Sequence, residues 1–236
     1  MPTAIVTGGA VRIGRALALH LARGGWDIAL HYSRSEESAQ SAIAEIIALG
    51  RQCKGFQCDF ADPDSAETLI ERVSDSFADI QLLINSASIF LNQSIENTAS
   101  EILQDTLSIN LAVPFILMRD YKHKIGQGMI VNILDQRIQR NIPGFSAYSV
   151  SKVGLAHLTE LAALEWGSSM RVNAIAPGLI LPPANGSADY LQRASEEVPM
   201  KTHGDVSDIT RGLQYLLDSP FVNGETLFID GGESKV

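Results

Sequence analysis

Tyr148 and Lys152 stand four residues apart in a stretch, 147–166, that reads as a helix. Four residues are about one helical turn, so both side chains share a face. An ammonium beside a phenol favours the phenolate and lowers the tyrosine pKa from about 10 toward working pH. A phenol tuned in that way can pass a proton to or from a substrate oxygen or nitrogen. Many helices carry Tyr-x-x-x-Lys by chance, so the preceding residues matter. Residues 128–134 form an apolar, strand-like run, and Asp135 stands at its carboxyl end, where open α/β sheets bind ligands.

A second group points to phosphate chemistry. Gly8 and Gly14 bracket a turn that follows one strand-like run and opens a helix, with Ile13 inside it. Free backbone N–H groups and the positive end of the helix dipole suit a pyrophosphate there. Arg12 occupies a position where a third glycine is expected, and adds a fixed positive charge. At the end of the second strand stand His31, Tyr32, Ser33, Arg34 and Ser35, with no acid before Glu36. A site for NADH usually places an acid here to hold the ribose hydroxyls. Arg34 with the two serines instead offers a guanidinium and hydroxyls to a 2′-phosphate, which selects NADPH. The same residues would also serve as a polar turn opening a helix.

The elements that must position these groups follow from the hydrophobic pattern. Strands are expected at 3–7, 26–31, 53–58, 80–85, 129–134, 170–175 and 225–230, with helices between them. The first helix spans 12–23 and stops at Gly24 and Gly25. Ser35 caps the next, which ends before Gly50. Asp62 and Pro63 open a helix to about 77, and a capping box from Thr98 to Glu101 opens a long one reaching 121. Asp205 caps a helix through 217. Strands alternating with helices give a Rossmann-type, doubly wound, parallel seven-stranded sheet with helices on both faces in a single domain, 1–236. The longest loops, 86–97 and 176–186, follow strand ends on the ligand side and are candidate substrate walls.

Length and composition bound the rest. The 236 residues suit one α/β domain, and 45% hydrophobic with 19% charged residues is enough for a full core. A net charge of −9 argues against nucleic acid or an anionic membrane as the main partner. The expected setting is cytoplasmic: no basic and apolar leader opens the chain, and no apolar run approaches the roughly 20 residues that span a bilayer. Cys53 and Cys58 are an odd number of residues apart, so on a strand they face opposite ways and read as reduced thiols. No metal site is expected.

Taken together, the Thr7-to-Gly14 turn, Asn85-Ser86-Ala87-Ser88, Asn110, the Tyr148/Lys152 pair, Pro177-Gly178 and Asp230-Gly231-Gly232 resemble the short-chain dehydrogenases/reductases across essentially the whole chain. Four departures resemble the pteridine reductases, and most of all their dihydromonapterin/dihydrofolate reductase branch. They are Arg12 in the turn, the run after His31, the Asn-x-Ala-Ser-x-Phe pattern ending at Phe90, and Asp135 in place of the usual serine. Ser86 replaces the second asparagine of the common family loop.

The resemblance implies a role for each matching position. Tyr148 would donate the proton, and Lys152 would tune it and bind the nicotinamide ribose. Asn110 would hold a water linking Lys152 to solvent. Asp135 would help protonate a ring nitrogen, and Phe90 would stack on a flat heterocycle. Ser88 and Arg12 would contact the pterin edge or the phosphates, and Asp59, next to Phe60, would meet the adenine amine. Asn85, Ser86, Ala87, Pro177 and Gly178 would line the cofactor. The implied partner is a pterin-like small molecule, and the implied assembly a homotetramer paired through the Tyr148 helix and the long helix before it. A reductase of another ketone or imine, and an NADPH-sensing protein without turnover, stay open as alternatives.

Overall fold

The computed structural model describes residues 1–183, 186, 187 and 189–236. Strand β1 (Thr3–Val6) is buried at every position, so both of its faces must be covered by other elements. That is the pattern of a strand inside a parallel sheet with helices on each side. With β2 (Asp27–Tyr32), β3 (Cys53–Gln57), β4 (Ile80–Asn85), β5 (Gly128–Ile133), β6 (Met170–Pro177) and β7 (Thr226–Ile229), it forms one seven-stranded sheet of order β3-β2-β1-β4-β5-β6-β7. Every neighbouring pair is parallel. The expected doubly wound fold is present as one domain.

Successive strand residues point to opposite faces. On one face Ala4 and Val6 pack with α1 (Arg12–Arg23), α2 (Glu36–Ala48) and α8 (Val206–Asp218). On the other, Ile5 packs with α3 (Leu69–Ser74), α5 (Val113–Lys124) and the end of α6 (Ser146–Trp166). Cys53 joins the first layer and Cys58 the second, both as free thiols that burial pushes up, Cys53 to about 12. The chain leaves β3 at one edge and returns through β4 beside β1. The crevice at the carboxyl ends of β1 and β4 is therefore the topological switch point, where this architecture binds ligands.

Several local expectations are corrected. The box at Thr98 does not form: α4 (Ser100–Leu107) begins after Ala99, because the Thr98 hydroxyl donates instead to the Ser94 carbonyl. Ser35 precedes α2 without a side-chain capping bond. Asp62 does cap, accepting from Asp64 N–H, but it opens a 3₁₀ turn (Pro63–Thr68) before α3, which ends at Ser74. Asp205 and Asp208 make a reciprocal box on α8. The segment after β6 contains a short helix, α7 (Tyr190–Ser195), beyond the expected 176–186 loop; part of that loop lies outside the described residues.

The long helix is α4 and α5 joined through a π turn (Ser108–Ala112). Contrary to the sequence reading, this Ser100–Lys124 unit is long and apolar enough, by length and composition, to cross a membrane. Its charged residues gather toward the two ends, which leaves an apolar middle. In this structure Val113, Leu117, Met118 and Tyr121 bury that middle in the second core.

Candidate active site

The turn after β1 is held by its neighbours. Thr7 Oγ accepts from the N–H groups of Ser86 and Ala87 (2.9 and 3.0 Å) and donates to the Ile84 carbonyl (3.3 Å). Gly8 takes φ +64°, and a Cβ there would stand 3.0 Å from Ala87 Cα. A Cβ on Gly14 would stand 2.2 Å from the Gly8 carbonyl oxygen, so α1 rests directly on the backbone of the turn. Arg15 N–H makes the first internal bond of α1, to Val11. The amides of Arg12, Ile13 and Gly14 are thus left at the positive helix end without intrahelical partners. Gly8 N–H is not part of that free set, because it donates to His31 Nδ1 at 3.1 Å. Arg12 has φ +53°, a left-handed conformation that costs a non-glycine residue roughly 1–2 kcal/mol. Its guanidinium reaches across to the Pro182 carbonyl at 2.8 Å.

At the far end, Arg34 pairs with Asp59 at 3.2 Å, with 84% of the arginine side chain exposed. Such a surface pair contributes about 0–1 kcal/mol, so Arg34 can exchange Asp59 for a phosphate at little cost. The Ala61 N–H, followed by Arg34, holds the Asp59 carboxyl below its ordinary value. Ser33 presents its carbonyl to Gln57. Tyr32 packs on the first core over Gly55, and Phe60 is buried with its ring stacked on His31.

The catalytic end gathers side chains from three elements. Asp135 leaves β5 and caps a 3₁₀ turn (Gln136–Ile138), accepting from Arg137 N–H at 2.9 Å. Arg137 Nη1 lies 3.2 Å from each Asp135 oxygen, and Tyr148 O–H donates to Oδ2 at 2.9 Å. Asp135 therefore receives hydrogen bonds only. The Arg137 guanidinium lies 5.1 Å from the Phe90 ring centre and 4.9 Å from that of Phe145, and these two rings stack at 4.6 Å. Phe90 also meets Tyr148 edge-on at 4.7 Å and is 45% exposed. Sequence reading missed Arg137 and Phe145. Their only signal was a basic residue two places past a strand-end acid and an aromatic just before the catalytic helix.

The expected tuning of Tyr148 by Lys152 is overturned. Burial first, then the Asp135 carboxylate, pushes the Tyr148 phenol well above its ordinary value, and the cation acting to lower it is Arg137. Lys152 Nζ is 5.7 Å from the Tyr148 ring centre and donates to the Ile133 carbonyl at 2.8 Å. Burial pushes Lys152 down to about 8, against the pull of Asp135.

Asn110, on the π turn, is fully buried. Its Oδ1 accepts from Ile89 N–H and Ser88 O–H, and its Nδ2 donates to the Ile89 carbonyl and Ser151 Oγ. With its amide so committed, any water it holds must bind the main chain, and the Ser88 hydroxyl is likewise engaged. Gly178 N–H bonds the Ile229 carbonyl, and Glu233 accepts from Leu179 N–H at 2.7 Å. Glu233 thus pins the Pro177-Gly178 loop from the C-terminal turn, a contact the sequence reading also missed.

These features fit a dinucleotide. Among the described residues, three first-turn amides have no intrahelical partner, Asn85 Oδ1 is buried without a hydrogen-bond partner, and Lys152 spends one of its three N–H donors within the protein.

Comparison with known proteins agrees with that geometry. A family model described as enoyl-(acyl carrier protein) reductase, of the short-chain dehydrogenase type, matches residues 9–234. The 3-oxoacyl-[acyl-carrier-protein] reductase FabG of Staphylococcus epidermidis is 29% identical over 238 residues, covering 98% of each chain. The FolM alternative dihydrofolate reductase 1 of Brucella canis, solved with NADP, superposes with a TM-score of 0.93 at 29% identity, over 99% of this chain and 94% of that one. A blue fluorescent protein from a metagenomic library, solved with NADPH, gives 0.91 at 29% identity over 98% and 97%.

Proposed function

The chain belongs to the short-chain dehydrogenase/reductase family, and within it we propose an NADPH-dependent reductase that converts a dihydropterin of the dihydromonapterin, dihydrobiopterin or dihydrofolate type to its tetrahydro form. The observation that carries this reading is the 2.9 Å bond between Tyr148 and Asp135, at a position where carbonyl reductases of this family resemblance carry serine. The likeness to FolM supports it, as does the half-exposed Phe90 ring beside Tyr148.

NADPH, when bound, supplies the hydride. The amides of Arg12, Ile13 and Gly14 would hold its pyrophosphate, Arg34 its 2′-phosphate, and Lys152 its nicotinamide ribose. Reducing a C=N bond also requires a proton on a weakly basic ring nitrogen. Tyr148 and Asp135 hold one proton between two oxygens, and Arg137 balances the carboxylate so that the proton stays on the phenol. When the ring nitrogen takes it, Arg137 is the cation that acts on the phenolate left behind, with Lys152 Nζ 5.7 Å from its ring centre. Phe90, backed by Phe145, orients a flat heterocycle over that donor.

A second reading, a reductase of a simple ketone, is favoured by the FabG relative. Following NADPH oxidation with a dihydropterin and with a 3-oxoacyl thioester separates the two. Faster turnover of the dihydropterin is expected, and a preference for the thioester would install the ketone reading. We further propose that the working enzyme is a cytoplasmic homotetramer. Phe115, Val150, Val153 and Leu164 are exposed along α5 and α6 beside an apolar groove of about 400 Å³. Light scattering that gave a monomer at micromolar concentration would refute the assembly.

A further inference from the structure

We propose that His31 is a positioning residue for the cofactor turn: a buried imidazole whose two nitrogens fix the phosphate-binding backbone in its working shape before any dinucleotide binds. The proposal rests on the NADPH part of the reading above and is independent of the substrate.

His31 lies at the end of β2, 2% exposed. Nδ1 faces the Gly8 N–H at 3.1 Å, and Nε2 faces the Cys58 carbonyl at 3.0 Å. An amide N–H only donates and a carbonyl only accepts. The two backbone partners therefore dictate a neutral ring with its hydrogen on Nε2. The His31 carbonyl accepts from Gly9 N–H at 3.0 Å, so one residue holds both glycines of the turn. The ring face stacks on Phe60 at 3.9 Å and 7°, and Phe60 follows Asp59. His31 thus joins the turn after β1 to the end of β3, two segments proposed to flank one dinucleotide.

A protonated ring would lose its acceptor toward Gly8 and place a charge in the core. Burial pushes its pKa down to about 4, in keeping with the neutral form, with Arg72 acting in the same direction and Asp59 against it. The Gly8 amide is consequently a structural bond and no ligand of the pyrophosphate. An imidazole suits this position because it offers an acceptor and a donor on separate edges of a flat, stackable ring. Asparagine reproduces only the acceptor at the δ position, and glutamine only a donor further out.

The turn's shape is a cost met before binding, so freeing it should weaken every dinucleotide alike. Binding of NADPH and of NADH, read by fluorescence titration, should each weaken about tenfold in His31→Phe and His31→Gln, the loss expected when a buried amide loses its acceptor. His31→Asn should recover both to within about threefold of the wild type. Circular dichroism confirms that each variant is folded. Wild-type affinity in the folded Phe and Gln variants, or an Asn variant no better than Gln, would overturn the proposal.

The cofactor-free wild type gives a test that needs no variant. Nitrogen NMR should show a ring with its hydrogen on Nε2 that does not titrate between about pH 6 and 8, where an ordinary histidine does. A titrating ring or the other tautomer would overturn the assignment. Failure of the wild type to bind either dinucleotide would instead strike the NADPH reading, with the NMR result still deciding the role of His31.

Discussion

The two walls of the cleft are built from different materials. The phosphate wall is backbone: three first-turn amides of α1 without intrahelical partners, a Gly8 turn bonded to His31, and a loop bonded to Thr7. The catalytic wall is side chain: the neighbours Asp135 and Arg137, Tyr148 and Phe90 come from three segments and meet only in the folded protein. A backbone site depends on local conformation and tolerates changes of side chain that preserve it. A side-chain cluster is coupled, so loss of one member disturbs the charge and position of the others.

The sharpest break of that comparison is at the donor. Tyr148→Phe should lower turnover by about 10²–10⁴, the scale of general-acid catalysis, while NADPH affinity by titration stays near wild type. Arg34→Ala tests the side chain assigned to the 2′-phosphate. It should weaken NADPH by roughly 1.5–3 kcal/mol, the contribution of a charge-assisted bond, and leave NADH nearly unchanged. Equal loss of both cofactors would make Arg34 structural.

The pH profile separates the walls without mutation. Tyr148 lies far above its ordinary value, so it stays a donor through neutral pH, and Lys152, near 8, is the group that titrates. Turnover should fall as pH rises through about 8, where the Lys152 ammonium assigned to the nicotinamide ribose loses its charge. Stability should move the other way. The folded pKa of Lys152 lies below its unfolded value, so the unfolded chain binds more protons between about 8 and 10.5, and this residue's contribution rises with pH across that window. Turnover flat to pH 10 would remove Lys152 from the proton economy of the site.

The smallest effect is expected at Arg12. Arg12→Gly relieves a left-handed arginine and should leave the melting point unchanged or raise stability by up to about 1–2 kcal/mol, while weakening NADPH. A clear loss of stability would show that the bond to Pro182 outweighs the strain.

The difference between the walls also explains what the sequence disclosed. Strand runs, the Gly8-to-Gly14 turn and the Tyr148/Lys152 spacing are local patterns, and the fold follows from them. The left-handed Arg12 is foreshadowed by the glycine expected in its place. Arg137 and Phe145 carry only a faint mark, because their meaning arises from the Phe90 ring and the Tyr148 phenol brought to Asp135 by the fold. The direction of the Tyr148 shift was misjudged for the same reason. Helical spacing puts Lys152 on the right face, but the Ile133 carbonyl claims its ammonium and the Asp135 carboxylate dominates the phenol. The Thr98 hydroxyl turned back four residues to the carbonyl of Ser94, a local bond that competes with the cap.

Asp135 is where the substrate reading stands or falls. The most direct test compares wild type and Asp135→Ser for NADPH oxidation with a dihydropterin and with a simple ketone, after confirming that both bind NADPH. The account predicts that the variant keeps NADPH, loses most dihydropterin reduction, and retains or gains weak ketone reduction. A variant that reduces dihydropterins as fast as the wild type would deny the carboxylate its role and leave the ketone reductase as the better description.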